Sequence, residues 1–228
     1  ASFGSAFISC FSASYASFLL APLPAIVIAK LYGRPVVLNY RSGEAPDHLR
    51  RSAVARWALG TVDLNVVPSS FLRDVFRGFG IASRIVANVC DLRRFTYRER
   101  DPLRPRLLST RNFDALYNVG CTIRAFARVQ ATYPEASLTL VGSGAEEPAL
   151  RAQVRDLGLR HVSFVGRVAP DEIQRYYADA DIYVQTPSID NMPGSVIEAF
   201  ASGLPVVATR VGGVPAILED GVHGLMAP

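Results

Sequence analysis

Cysteine and histidine are scarce in this 228-residue chain, at three each. Cys10, Cys90 and Cys121 lie far apart and are odd in number, and His48, His161 and His223 form no pair. With no CxxC and no Cys/His metal spacing, a disulfide scaffold and a structural zinc module are excluded, and a reducing, cytoplasmic setting is expected. Long apolar runs are lacking as well. The most apolar stretch, 18–29, is interrupted by Pro22 and Pro24 and falls short of the about 20 residues that span a bilayer. It reads as a buried helix or helix pair, and no signal-peptide pattern precedes it. Charge is modest: 19% of residues, net +4, with a pI near 9.2. The basic excess gathers at Arg93, Arg94, Arg98, Arg100, Arg104 and Arg106. No aromatic-interleaved recognition motif accompanies those arginines, so nucleic acid is not an expected partner. They read as a solvated segment between domains.

What is present is an alternation. Strands are expected at 7–13, 35–40, 63–68 and 83–89. Helices are expected across 15–32, from Asp47 through Arg50, Val54, Trp57 and Ala58, and over 71–80 behind a Ser69 or Ser70 cap. Pro102 and Pro105 punctuate the charged run 96–105, where a boundary is expected, giving domains of 1–100 and 101–228. Beyond it, strands at 107–110, 137–141, 162–165, 181–186 and 206–208 alternate with helices at 117–133, 146–157, 170–180 and 214–218. Such alternation implies parallel pairing with helices on both faces, an α/β fold. The chain starts at Ala1 and stops in what reads as a strand or its exit. A fragment of a longer protein, cut at both ends, is expected.

The densest signal runs from Asp181 to Thr209, where a strand, a polar loop, a compact helix and a second strand form a βαβ unit. Its loop falls at the carboxyl end of a parallel strand, where open α/β sheets bind ligands. The helix opens near Gly194 and Ser195, and the amides of Ser195, Val196 and Ile197 are expected to lack intrahelical acceptors and to favour an anion. Glu198, one turn in, could accept two hydroxyls of one sugar ring, and Asp190 supplies a second carboxylate. A diphosphate between two polyhydroxylated rings, a nucleotide sugar, would use all three elements. A plainer account of the same residues is also open: an acidic residue early in a helix stabilises its dipole by about 0.3–1 kcal/mol, and Asp190-Asn191 suits a turn.

The run Glu198-Ala199-Phe200-Ala201-Ser202-Gly203-Leu204-Pro205-Val206-Val207 resembles glycosyltransferase family 4, the retaining GT-B sugar transferases. In that family two acidic residues separated by seven open and close the signature, as Asp190 and Glu198 do here. Asp190 stands where glutamate is usual, and Asn191-Met192-Pro193 replace the usual residues before Gly194. The resemblance implies a GT-B architecture of two Rossmann-like doubly wound domains, the first incomplete and on the acceptor side, the second binding the donor. It implies transfer of a sugar from a UDP- or GDP-sugar, with retention of anomeric configuration, to an acceptor that is a glycan, a lipid or a small molecule. No metal and no further cofactor is expected. With the cytoplasmic setting read from the cysteines, the arginine cluster leaves peripheral contact with the inner face of an anionic membrane open.

By the same resemblance, Asp190 orients the donor sugar, and Glu198 grips the ribose. Gly194 and the amides of Ser195, Val196 and Ile197 meet the diphosphate together with Arg111, and Val168, after Gly166-Arg167, packs on the base. The family's lysine five residues beyond the arginine is Leu116 here, with Arg210 one substitute, and its histidine after the strand at 35–40 is replaced by Tyr40 or Arg41. Arg41 is therefore a catalytic candidate; pairing with Glu44 or Asp47 is the alternative. Gly142-Ser143-Gly144 reads as a tight turn rather than a phosphate cradle. Two other readings stay open, a non-catalytic sugar-nucleotide-binding module and a GT-B nucleotide-sugar epimerase.

Overall fold

The computed structural model describes residues 6–10 and 15–228, with side-chain surroundings from residue 17 onward. It divides into two compact units. The first takes the residues up to Asn88 together with Asp190–Met192, and the second takes Val89–Ile189 and Pro193–Pro228.

In the first unit four parallel strands, β1 (Ala6–Cys10), β2 (Val36–Tyr40), β3 (Leu64–Val67) and β4 (Arg84–Ile85), lie in chain order across the sheet. The remainder of the first expected strand, 11–13, lies outside the described residues. The stretch 15–32, read as a buried helix or helix pair, is a pair, α1 (Tyr15–Leu20) and α2 (Pro22–Leu31), the second opening with a proline in its first turn, where the missing N–H costs nothing. The single helix expected from Asp47 to Ala58 is also two, α3 (Ala45–Arg51) and α4 (Ala53–Thr61). Ser52 makes the break: its backbone is extended and its Oγ accepts the Ala55 amide at 3.0 Å, capping α4. As a result Val54 and Trp57 face outward, at 43% and 59% exposure, rather than into the core. Ser69 caps α5 (Ser70–Gly78) in the same way. The strand expected over 83–89 shrinks to the two paired residues of β4. Phe18, Ile26, Leu38, Leu49, Leu59 and Phe76 fill the core.

In the second unit six parallel strands carry the order β10-β9-β8-β5-β6-β7. They are β5 (Arg106–Ser109), β6 (Ser137–Val141), β7 (Val162–Gly166), β8 (Ile182–Gln185), β9 (Val206–Thr209) and β10 (Gly224–Ala227). Helices α6 (Val119–Thr132) and α7 (Glu147–Asp156) cover one face, and α8 (Ile173–Asp179) and α9 (Gly194–Ala201) the other. Neighbouring strand residues serve opposite faces, as the pleat requires: Leu107 and Val184 pack with α6, Leu108 and Tyr183 with α8 and α9. The last expected helix, 214–218, is a single 3-10 turn at Val214–Ala216.

The arginine run departs in part from the expected solvated segment: Arg93, Arg94 and Arg104 are exposed, whereas Arg98, Arg100 and Arg106 are engaged. Arg98 and Arg106 clamp the buried carboxylate of Asp181 at 2.9 and 2.6 Å. Arg100 donates to the carbonyls of Tyr177, Ala180 and Ser202, at the carboxyl ends of α8 and α9 where unsatisfied acceptors collect. Composition reveals a basic excess; only packing reveals that helix ends and a buried carboxylate take up half of these arginines. Among the described residues no helix is long and apolar enough to cross a membrane, and no three His, Cys, Asp or Glu side chains gather to hold a metal.

Candidate functional site

Strand order locates the site. From β5 the chain moves to β6 and β7 on one side, whereas β8, β9 and β10 build outward on the other. The order therefore reverses between β5 and β8, and in open α/β sheets the ligand crevice lies outside the carboxyl ends of such a pair. Arg111 leaves β5 at that end, and β8 leads there into the loop before α9. Arg111 donates to Ser195 Oγ at 3.2 Å and lies over the Tyr117 ring, 4.1 Å from its centroid. Gly142 and Gly144 hold its loop from the side of β6. A Cβ at either position would run into the backbone of Arg111 or Phe113, and the Phe113 amide donates to Ser143 O at 3.0 Å. Those glycines thus seat the arginine loop.

The start of α9 is partly open. Pro193 precedes it with no side-chain cap. Val196 is a correction to the expected set of open amides, because its N–H donates to Pro193 O at 3.2 Å, closing a tight first turn. Gly194 is exposed, and a Cβ there would meet nothing within 4 Å. Ser195 is buried and donates to Gln185 Oε1 at 3.3 Å, while the fully buried Gln185 keeps its Nε2 without a hydrogen-bond partner. Ile197 and Glu198 are half-buried. Glu198 Oε2 accepts the Tyr177 hydroxyl at 2.8 Å, and Tyr177 also meets Thr110 Oγ1 at 2.7 Å. Burial, with the nearby Tyr183 and Glu198, holds the Tyr177 phenol well above its ordinary value, so it is a neutral donor. Burial also raises Tyr183, against the opposing pull of Arg111, Ser195 and Thr110. Sequence reading missed Thr110, Tyr177, Tyr183 and Gln185, whose aromatic and strand-like pattern reads as core.

The other expected residues have partners of their own. Val168 is half-buried against the core beneath α8 and α9. Arg210, at the carboxyl end of β9, pairs with Asp220 at 2.9 Å, and β8 stands between its strand and that of Arg111. Lys30, the only lysine of the chain, binds Asp63 at 2.6 Å in the first unit, so the second has none. Asp190 and Arg41 both belong to the first unit. There Asp190 Oδ1 accepts the Asn191 amide at 2.8 Å, Ser69 Oγ donates to Asn191 Oδ1, and Asn191 Nδ2 reaches Arg41 O at 3.4 Å. Arg41 itself donates to Asn88 Oδ1, and Asp47 pairs with Arg51. No histidine directly follows β2, yet His48 of α3 comes back to it: its Nδ1 lies 2.9 Å from the Tyr40 hydroxyl and its ring stacks at 6.2 Å. Burial pushes His48 below its ordinary value, partly countered by Asp47.

In the second unit, then, a guanidinium, an exposed helix start and a half-buried carboxylate gather around the first turn of α9, a set suited to a phosphate beside a hydroxyl-bearing ring. The family model described as glycosyl transferases group 1 matches residues 104–228, more than half of the chain and every strand of this sheet. The chain belongs to that family. Among curated relatives, the sulfoquinovosyl transferase SQD2 of Arabidopsis thaliana is 26% identical over 225 residues, 88% of this chain and 42% of that protein. The glycogen synthase of Mycobacterium tuberculosis is 28% identical over 218 residues, 89% of this chain and 53% of its own length. The chain thus spans about half, or less, of the curated relatives it matches. Among solved structures, HepE of Anabaena in complex with UDP-glucose superposes with a TM-score of 0.79 at 22% identity, over 97% of this chain and 64% of that one. At that identity the likeness is one of fold, and the fold is GT-B, with the first Rossmann-like domain represented in part.

Proposed function

We propose that this chain carries the donor half of a retaining, family 4 glycosyltransferase and that the crevice of the second unit binds a nucleoside-diphosphate sugar. One observation carries the reading: Arg111 and Glu198 flank the exposed start of α9, where Gly194 has no Cβ and none would be hindered. Glu198 grips the ribose hydroxyls. Arg111 and the amides of Ser195 and Ile197 neutralise the diphosphate as charge develops on it, so no metal is required. Val168 borders the base. Asp190 orients the donor sugar and Arg41 contributes from the first, acceptor-side domain. The acceptor is a glycan, a lipid or a small molecule, met in the cytoplasm at a membrane face. The crystal complex of HepE with UDP-glucose makes UDP-sugars the first donors to try.

Titration calorimetry of the full-length protein with UDP- and GDP-sugars tests binding, and a labelled-sugar transfer assay with analysis of the anomer tests turnover. Glu198→Ala is expected to weaken nucleotide binding by roughly tenfold or more. Unchanged transfer by that variant would overturn the assignment. The absence of any lysine from the second unit favours one second reading, a module that binds the sugar nucleotide without transferring it. Binding without turnover would select it.

A further inference from the structure

The donor-site reading assigns Glu198 to the ribose but leaves open what holds that carboxylate still. A glutamate has three rotatable side-chain bonds, and ordering it at the moment of binding would cost conformational entropy. Tyr177 is fully buried, and its ring is fixed on two sides, edge-on to Phe95 at 5.6 Å and stacked on Tyr183 at 5.8 Å. Its hydroxyl has one proton and three polar neighbours: Thr110 Oγ1 at 2.7 Å, Glu198 Oε2 at 2.8 Å and Ser195 O at 3.3 Å. Two of those neighbours only accept. The proton goes to the nearer and charged one, Glu198, and the Thr110 hydroxyl donates to the phenol oxygen.

We propose that Tyr177 is a positioning residue for the donor site, a strut from the core that fixes one oxygen of Glu198 and leaves the other free for ribose hydroxyls. A carboxylate offers about four lone-pair sites, so one is filled by the strut and the rest remain available. Thr110 orients the strut from behind, and as the residue before Arg111 it ties the carboxylate to the same strand end as the guanidinium. Ribose recognition and diphosphate recognition thereby share one rigid base. This inference rests on the reading of Glu198 as a ribose ligand.

The test is a double-variant cycle in the full-length chain, read by calorimetry with UDP or GDP, whichever the wild type binds. Tyr177→Phe keeps the ring and removes only the hydroxyl. It is expected to weaken binding roughly tenfold and to leave the thermal midpoint close to that of wild type, because Glu198 can turn to water. In a Glu198→Ala background the same change is expected to have under about twofold effect, the signature of two groups acting through one interaction. An equal loss in both backgrounds, or no loss in either, overturns the strut while the donor site stands. If wild type binds neither nucleotide, the donor-site reading fails, and the strut fails with it.

Discussion

At the amino end of β8, Asp181 is closed off. Its side chain is 1% exposed, both oxygens are held by guanidinium groups, and its amide donates to Arg106 O at 2.9 Å. At the carboxyl end of the same strand, Gln185 keeps an unpartnered amide nitrogen, Glu198 has one oxygen held, and the glycine at the start of α9 faces empty space. Buried polar groups in folded proteins are nearly always paired, so the first end follows the rule and the second departs from it. Within the carboxyl end itself, two glycines draw the same contrast between structure and vacancy. Gly144 is required by the backbone of Phe113, whereas nothing inside the chain requires Gly194. One end of the sheet satisfies the fold, and the other leaves capacity for a guest.

Breaking the closed end should have the largest effect. Asp181→Ala strands two arginines. Because their side chains remain 42% and 41% exposed they can turn to water, which places the expected loss at about 2–3 kcal/mol. Urea denaturation measures it, and a loss under about 0.5 kcal/mol would mean the pair is ornamental. Next, Gly144→Ala should destabilise by about 1–3 kcal/mol through overpacking. Gly194→Ala should stay within about 0.5 kcal/mol of wild type yet weaken nucleotide binding. Equal stability losses at both glycines would erase the distinction between the glycine that seats the arginine loop and the one that opens α9. The smallest effect is acid sensitivity. Burial pulls the Asp181 carboxyl up, but hydrogen bonds and charge from Arg106 and Arg98 outweigh it, leaving the group below its ordinary value of 3.8. A depressed carboxyl gives its full stability above the unfolded value and loses it as pH falls through the folded one. Thermal midpoints should therefore drop below about pH 4, and Asp181→Asn should flatten that part of the curve.

Much of the second unit was legible because its strands and helices differ sharply in period. The strand at Ser137–Val141 agrees with expectation residue for residue, and α9 opens at Gly194. The first unit was harder. One serine at position 52 splits a continuous helical pattern, and such a cap acts through a single side-chain hydrogen bond that periodicity does not register. At the site, Glu198 and Arg111 stood out as charged residues after strands. Tyr177 and Thr110 did not, since their polar atoms matter only through partners 21 and 67 residues away.

The order of residues determined the α/β class, the βαβ unit around α9 and the presence of a charged pair at its mouth, because these follow from local period, turn chemistry and strand-end position. Only tertiary structure decided that β8 lies beside β5, with the reversal of strand order between them, and that Arg111 meets Ser195 there. It also decided that Arg98, Arg100 and Arg106 are engaged by Asp181 and by helix ends. The physical reason is range. A periodic pattern is written within a turn or two of chain, whereas strand order and the pairing of a buried charge depend on groups 70 or 80 residues apart, 75 for Arg106 with Asp181 and 84 for Arg111 with Ser195.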